Sequence, residues 1–192
     1  GKADGNLEIY DWLSISDSFL FEATDGEIFF DNYGEFTEIR KKISRMPQDI
    51  RLKKLAGNLL LMAQSGQYNY SRCLSHGETG AAQLAVNEFV QAGMRTVFLL
   101  NEKYMPYYKW SFRAMRNLEL FSTFSDSFEF LLTSENDAET SEVKKDVIED
   151  ISQMIIGHLI ENGMTKAICG DLEKHAYSVN DSISDPNIRN MN

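Results

Sequence analysis

Between residues 48 and 104 apolar residues recur at roughly helical spacing almost without interruption, and this limits the fold more than any other feature of the chain. Ile50, Leu52, Leu55, Leu59, Leu60 and Met62 predict one helix over about 48–75, because such spacing lines up one buried face. Pro47 suits its first turn and Asp49 its positive end, while Gly66 is a point where it kinks or breaks. Leu84, Phe89, Val90, Val97 and Leu100 predict a second long helix over 78–104 with these residues on its buried side. Pro106 punctuates, and helices are expected over 107–117 and 118–132. After an exposed loop at 134–141, Val143, Val147, Ile151, Met154, Ile155 and Leu159 trace another apolar face, closed by Asn162-Gly163. A last helix is expected over 171–183, and a short basic one over 36–45.

The first 35 residues lack this periodicity. Leu7 to Leu13 fits a short helix or a strand. Glu27-Ile28-Phe29-Phe30 reads as a strand, followed by turn chemistry in Asp31-Asn32-Tyr33-Gly34. The expected architecture is mainly α: a multi-helix bundle over 36–192 with a short irregular or β N-terminal appendage over 1–35. The opening Gly1-Lys2-Ala3-Asp4 has no initiator methionine and no secretory signal pattern. It predicts a piece of a longer protein, with 1–35 as a remnant of an upstream domain.

An apolar share of 43% with 11% aromatics excludes a disordered chain. No apolar run approaches the roughly 20 residues that span a bilayer, so no membrane partner is expected. Cys73 and Cys169 form no CxxC pair, and His76, His158 and His175 are far apart. This predicts two reduced, mostly buried thiols in a cytoplasmic protein, with no metal site and no Ser-His-Asp or Cys-His pair.

The net charge of −10 is unevenly distributed. Residues 1–39 carry ten acidic residues and one basic, residues 40–116 four acidic and thirteen basic, and residues 117–192 fifteen acidic and five basic. The acidic total disfavours a general nucleic-acid binder. The basic centre either serves an anionic ligand such as a nucleotide, or simply faces acidic helices or a partner domain.

Two clusters stand out within that centre. Gln67-Tyr68-Asn69-Tyr70-Ser71-Arg72 precedes His76-Gly77-Glu78 at the junction of the two long helices, where unpaired backbone groups gather. Asn101 to Trp110 is rich in tyrosine, and Lys109, Arg113 and Arg116 follow at helical spacing. Aromatic residues beside cations stack a planar group while the cations hold phosphate; the alternative is that Tyr104, Tyr107, Tyr108 and Trp110 pack on the core. Glu88 lies on an otherwise apolar helix face, where burial would require a cation such as Arg72 or Arg113. A structural ion pair is the alternative role for Arg72.

Several blocks carry a resemblance: Thr24 to Asp31, Asp49 to Lys54, Gly66 to Arg72, Glu88-Phe89, Leu99 to Asn101, Tyr107 to Trp110, and more weakly His175 to Arg189. Together they resemble an uncharacterised helical domain found behind a minimal nucleotidyltransferase fold in bacterial proteins, with an organisation similar to kanamycin-type nucleotidyltransferases. The resemblance implies an upstream catalytic domain, with a Gly-Ser turn for the nucleoside triphosphate and an Asp-x-Asp pair for Mg²⁺. This sequence contains neither motif, so the chain alone is not expected to transfer a nucleotide, and it needs no cofactor of its own. The expected function is a substrate-binding or accessory half for a nucleotide or small polar acceptor. Tyr68, Asn69, Arg72 and Glu88 would position the acceptor, and Lys109 and Arg113 would neutralise phosphate. The alternative is a structural or protein-interaction bundle. A helical ribonuclease is disfavoured, because Arg72 and His76 lie one residue too close for an Arg-x4-6-His motif.

Overall fold

In a computed structural model, which describes residues 4–191, the stretch expected as one helix over 48–75 is helical throughout but not uniformly α. After α1 (Ile9–Ser14), α2 (Asp17–Thr24) and α3 (Glu35–Ile43), helix α4 (Gln48–Met62) runs into a π-helical segment, Ala63–Tyr70, and then α5 (Ser71–Ser75). Gly66 does not break the helix. It lies inside the π segment, where a Cβ would collide with the Phe89 ring and come within 2.9 Å of Ile148. The sequence reading of Gly1 to Ala3 falls outside the described residues.

Helix α6 (Thr79–Leu100) packs along α4 and the π segment. Its buried arc contains Ala82, Val86, Phe89, Val90, Gly93 and Val97. Leu84, expected on that arc, is 70% exposed, because two residues of helix rotate it about 200° away from Ala82. Helices α7 (Tyr108–Met115) and α8 (Phe124–Thr133) follow, both shorter than expected. Phe128 of α8 meets Phe89 edge to face at 6.4 Å. Helix α9 (Ala138–Glu161) starts at an Asp137 cap that accepts from the backbone of Glu139 and Thr140. Its buried arc runs through Lys144, Ile148, Ile151, Ile155 and Leu159, so Val143 and Met154 face outward instead of inward.

The expected last helix is two: α10 (Leu172–Asp181) and α11 (Pro186–Arg189). Helix α10 has the most extensive contact with α4 in the fold. The Asp49 carboxylate in α4's first turn accepts from the backbone N–H groups of Ser184 and Asp185. Lys53 donates to Asn180 Oδ1 and the Arg189 carbonyl. The C-terminal turn is thus fastened to the start of α4.

The expected strand at 27–30 is absent, and no strand occurs among the described residues. Phe29 and Phe30 are exposed and pair with no other strand. The segment's ends are held by side chains. Arg40 donates to the carbonyls of Ala23, Asp25 and Gly26, and Asp31 accepts from Thr37 at the start of α3. Trp12 and Leu20, from the region read as an appendage, belong to the same apolar core as α4 and α6. The described residues therefore form a mainly α, multi-helix bundle.

Candidate functional site

A cleft of about 770 Å³ opens where the α1–α2 junction meets α4, α6 and the chain entering α7. Each element supplies a different chemistry. The junction brings the Ser14, Ser16 and Ser18 hydroxyls and the Asp17 carboxylate; α4 brings Lys54 and Asn58. Along α6, Asn87, Gln91 and Arg95 succeed one another at four-residue spacing and so share one face. Val90 and Met94 supply apolar surface between them, together with Met105, Pro106 and Phe112. Tyr107 and Tyr108 line the cleft while remaining 47% and 65% exposed.

The charges here are largely settled. Lys54 Nζ lies 2.7 Å from Asp17 Oδ1, with both side chains mostly buried, and Asn58 Nδ2 donates to the Lys54 carbonyl. The Tyr107 and Tyr108 rings lie 4.4 Å apart, tilted by 49°. Contact with Tyr108 holds the Tyr107 phenol above its ordinary pKa. Tyr104, just behind, is buried and donates to the Ile43 carbonyl at 2.6 Å. Burial, with a smaller contribution from the Asp17 charge, raises its phenol pKa far above the ordinary value.

The six residues singled out in the sequence do not surround one cavity. Tyr68 and Asn69 line a second hollow of about 570 Å³ with Gln67, Glu149, Asp171 and Glu173. Arg72, for which the sequence allows an ion pair or a ligand role, donates to the Tyr68 hydroxyl and lies over that ring, 4.9 Å from its centroid, and it forms no ion pair with a described residue. Glu88 is exposed and makes no ion pair with a described residue, so the buried acid beside Arg72 or Arg113 is not found. The reason is register: Glu88 sits with Leu84 and Gln91 in an open groove, facing away from the arc of Ala85 and Phe89. Lys109 and Arg113 stand exposed on α7 without an ion-pair partner among the described residues. Of the aromatic group, Tyr104 packs, whereas Tyr107, Tyr108 and Trp110 are exposed.

Much of the basic centre is consumed internally. Besides the Lys54–Asp17 and Arg40 contacts, Arg45 and Arg51 both meet Glu102, and Arg116 meets Glu129. The thiols correct another expectation: Cys73 is half-buried and Cys169 exposed, because neither lies on a buried helical arc. His175 is fully buried, with Nε2 donating to the Cys169 carbonyl and Nδ1 beside the Thr165 hydroxyl. No group of three or more His, Cys, Asp or Glu in a metal-holding arrangement occurs among the described residues. Nor is any described helix long and apolar enough to cross a membrane.

Sequence reasoning missed the polar face of α6. Its signal was there, as Asn87, Gln91 and Arg95 four residues apart, but that spacing also marks any solvated helix face.

Fold and cleft define a mainly α helical domain with a large, open, mixed polar and aromatic cavity. The chain belongs to the family described as "Domain of unknown function (DUF4037)", whose model matches residues 12–111. That span includes nearly all of the cleft, from Leu13 to Ser111, leaving out Phe112 and Leu132. No curated protein and no solved structure matches the chain.

Proposed function

We propose that this domain is a helical substrate-binding module working beside a nucleotidyltransferase-like catalytic domain, with a nucleotide or a small polar acceptor held in the 770 Å³ cleft. The cleft carries the proposal. Its volume falls in the range of about 300–1,000 Å³ typical of small-molecule sites, and an apolar floor with a few polar groups is their usual lining. The Gly-Ser and Asp-x-Asp motifs are absent from the sequence, so Mg²⁺ and triphosphate chemistry is assigned to the partner domain. Two unpaired thiols fit a reducing compartment such as the cytoplasm.

Thermal unfolding of the chain against ATP, other nucleotides, Mg²⁺ and aminoglycosides tests this reading. A ligand at 100 times its Kd adds about 2.7 kcal/mol, which is roughly 5–10 °C for a chain of this size. The shift should disappear in Tyr108→Ala and survive in Tyr68→Ala. A flat response across the panel would sink the cleft as a ligand site.

One observation favours the second reading, a protein-interaction bundle. Phe29, Phe30 and Tyr33 are 92%, 78% and 90% exposed beside Asp25, Glu27 and Glu35. Large aromatics this exposed and this close together mark contact surfaces. If this reading holds, small ligands leave the unfolding temperature unchanged, while Phe29→Ser/Phe30→Ser abolishes binding to the partner domain.

A further inference from the structure

We infer that Arg95 is the anion-recognising residue of the cleft, and that the ligand therefore presents an oxyanion head, phosphate or carboxylate, joined to a planar ring. This deepens the ligand-binding reading and rests on it.

The charges lining the cleft are Asp17, Lys54 and Arg95. Asp17 and Lys54 neutralise each other at 2.7 Å, so Arg95 is left as the cleft's uncompensated charge. Its guanidinium reaches one acceptor, Gln91 Oε1, at 3.5 Å, which is the outer limit of a hydrogen bond. Among the described residues no carboxylate lies within 4.0 Å of it. Glu88, two turns earlier on the same helix, shares a neighbouring groove with Arg95 without forming an ion pair. Other arginines of the central segment are differently placed: Arg40, Arg45, Arg51 and Arg116 bond to carbonyls or carboxylates of the chain itself.

A half-buried guanidinium with no counter-charge is partly stripped of water and poorly compensated, and an incoming oxyanion corrects both. Arginine's planar fork matches the two oxygens of a carboxylate or phosphate. Asn87, about two helical turns before Arg95 on the same face, makes no side-chain hydrogen bond with a described residue. Its amide is therefore available to the ligand. Arg95 also opens onto a groove of about 370 Å³, so an anionic head has room there while the rest of the ligand occupies the cleft. Tyr107 and Tyr108 offer exposed ring faces for the planar group.

The test is a set of nitrogen-15 NMR titrations of the whole chain with AMP, adenosine-5′-carboxylate and adenosine, which share one ring and differ in the head. Both anions should shift the resonances of Asn87, Gln91 and Arg95, and adenosine should bind about tenfold or more weakly. The difference should shrink as salt is raised. Arg95→Gln should bring the anions down to the affinity of adenosine, and Arg95→Lys should recover part of the loss; a thermal midpoint confirms that each variant folds. The stronger of the two anions distinguishes phosphate from carboxylate. Equal binding of all three in the cleft, unaffected by Arg95→Gln, would overturn the role of Arg95 and leave the cleft reading standing. Shifts confined to residues outside the cleft, or none, would overturn both.

Discussion

Tyr104 ties the cleft's back wall to the start of the basic centre through one hydrogen bond to the Ile43 carbonyl. Removing its hydroxyl in Tyr104→Phe leaves that carbonyl without its partner, at a cost of about 1–3 kcal/mol. The same variant should alter the pH dependence of stability. The folded phenol is held above the ordinary value near 10, so the unfolded chain loses this proton first as pH rises. The stabilisation is fully present below about pH 10 and is lost as pH rises toward the folded value. Urea titrations from pH 7 to 11 should show a shallower alkaline decline in Tyr104→Phe than in the parent chain. Gly66→Ala has a steric cause instead: a methyl group there meets Phe89 and Ile148. A loss of about 1–3 kcal/mol is expected in denaturant unfolding. Residue types signalled both clusters in the sequence, but not their partners. Arg72 and Arg95 look alike on the page, and only the structure shows that one lies over Tyr68 while the other has one distant acceptor.

Whole helices were far more legible, because a 3.6-residue period survives many local exceptions. Helices α4, α6 and α9 were readable within a few residues at most ends. Individual positions on them were less so: Leu84, Val143 and Met154 are apolar yet face outward. Lys144 is the converse. It is charged yet fully buried, donating to the Ser134 carbonyl, Asn136 and Gln83, and burial lowers its pKa. Hydropathy alone places such a residue outside. The strand expected at 27–30 failed because β propensity has no effect without a neighbouring strand to pair with. What holds that stretch is Arg40. Arg40→Ala should leave the global midpoint nearly unchanged while speeding limited proteolysis between residues 25 and 34. Phe29→Ser/Phe30→Ser should change stability by less than about 0.5 kcal/mol, since both rings are exposed. A larger loss would mean that these rings support the fold.

At the scale of the molecule, the three charge blocks read from the sequence are partly joined in space: acidic Asp17 meets basic Lys54, and Arg116 meets Glu129. The family match stops at residue 111, but the packing does not. Leu172, Val179, Ile183 and Ile188 are buried in the same core. At about 1.5–3 kcal/mol for each buried side chain, the four contribute roughly 6–12 kcal/mol, comparable with the whole stability of a domain, about 5–15 kcal/mol. A chain cut before Asp171 should therefore lose its cooperative unfolding transition by circular dichroism. A sharp transition in the shortened chain would show that the matched region folds without α10 and α11.

The fastening of Asp49 to the backbone of Ser184 and Asp185 also has a consequence in time. Its partners follow it by 135 and 136 residues. At a synthesis rate of about 5–20 residues per second, that interval lasts roughly 7–27 s. For this long α4 leaves the ribosome with one side uncovered, and closing so large a loop slows the final step further. The newborn chain is therefore at its stickiest just before Ser184 and Asp185 emerge, and a chaperone that holds it then would raise its yield.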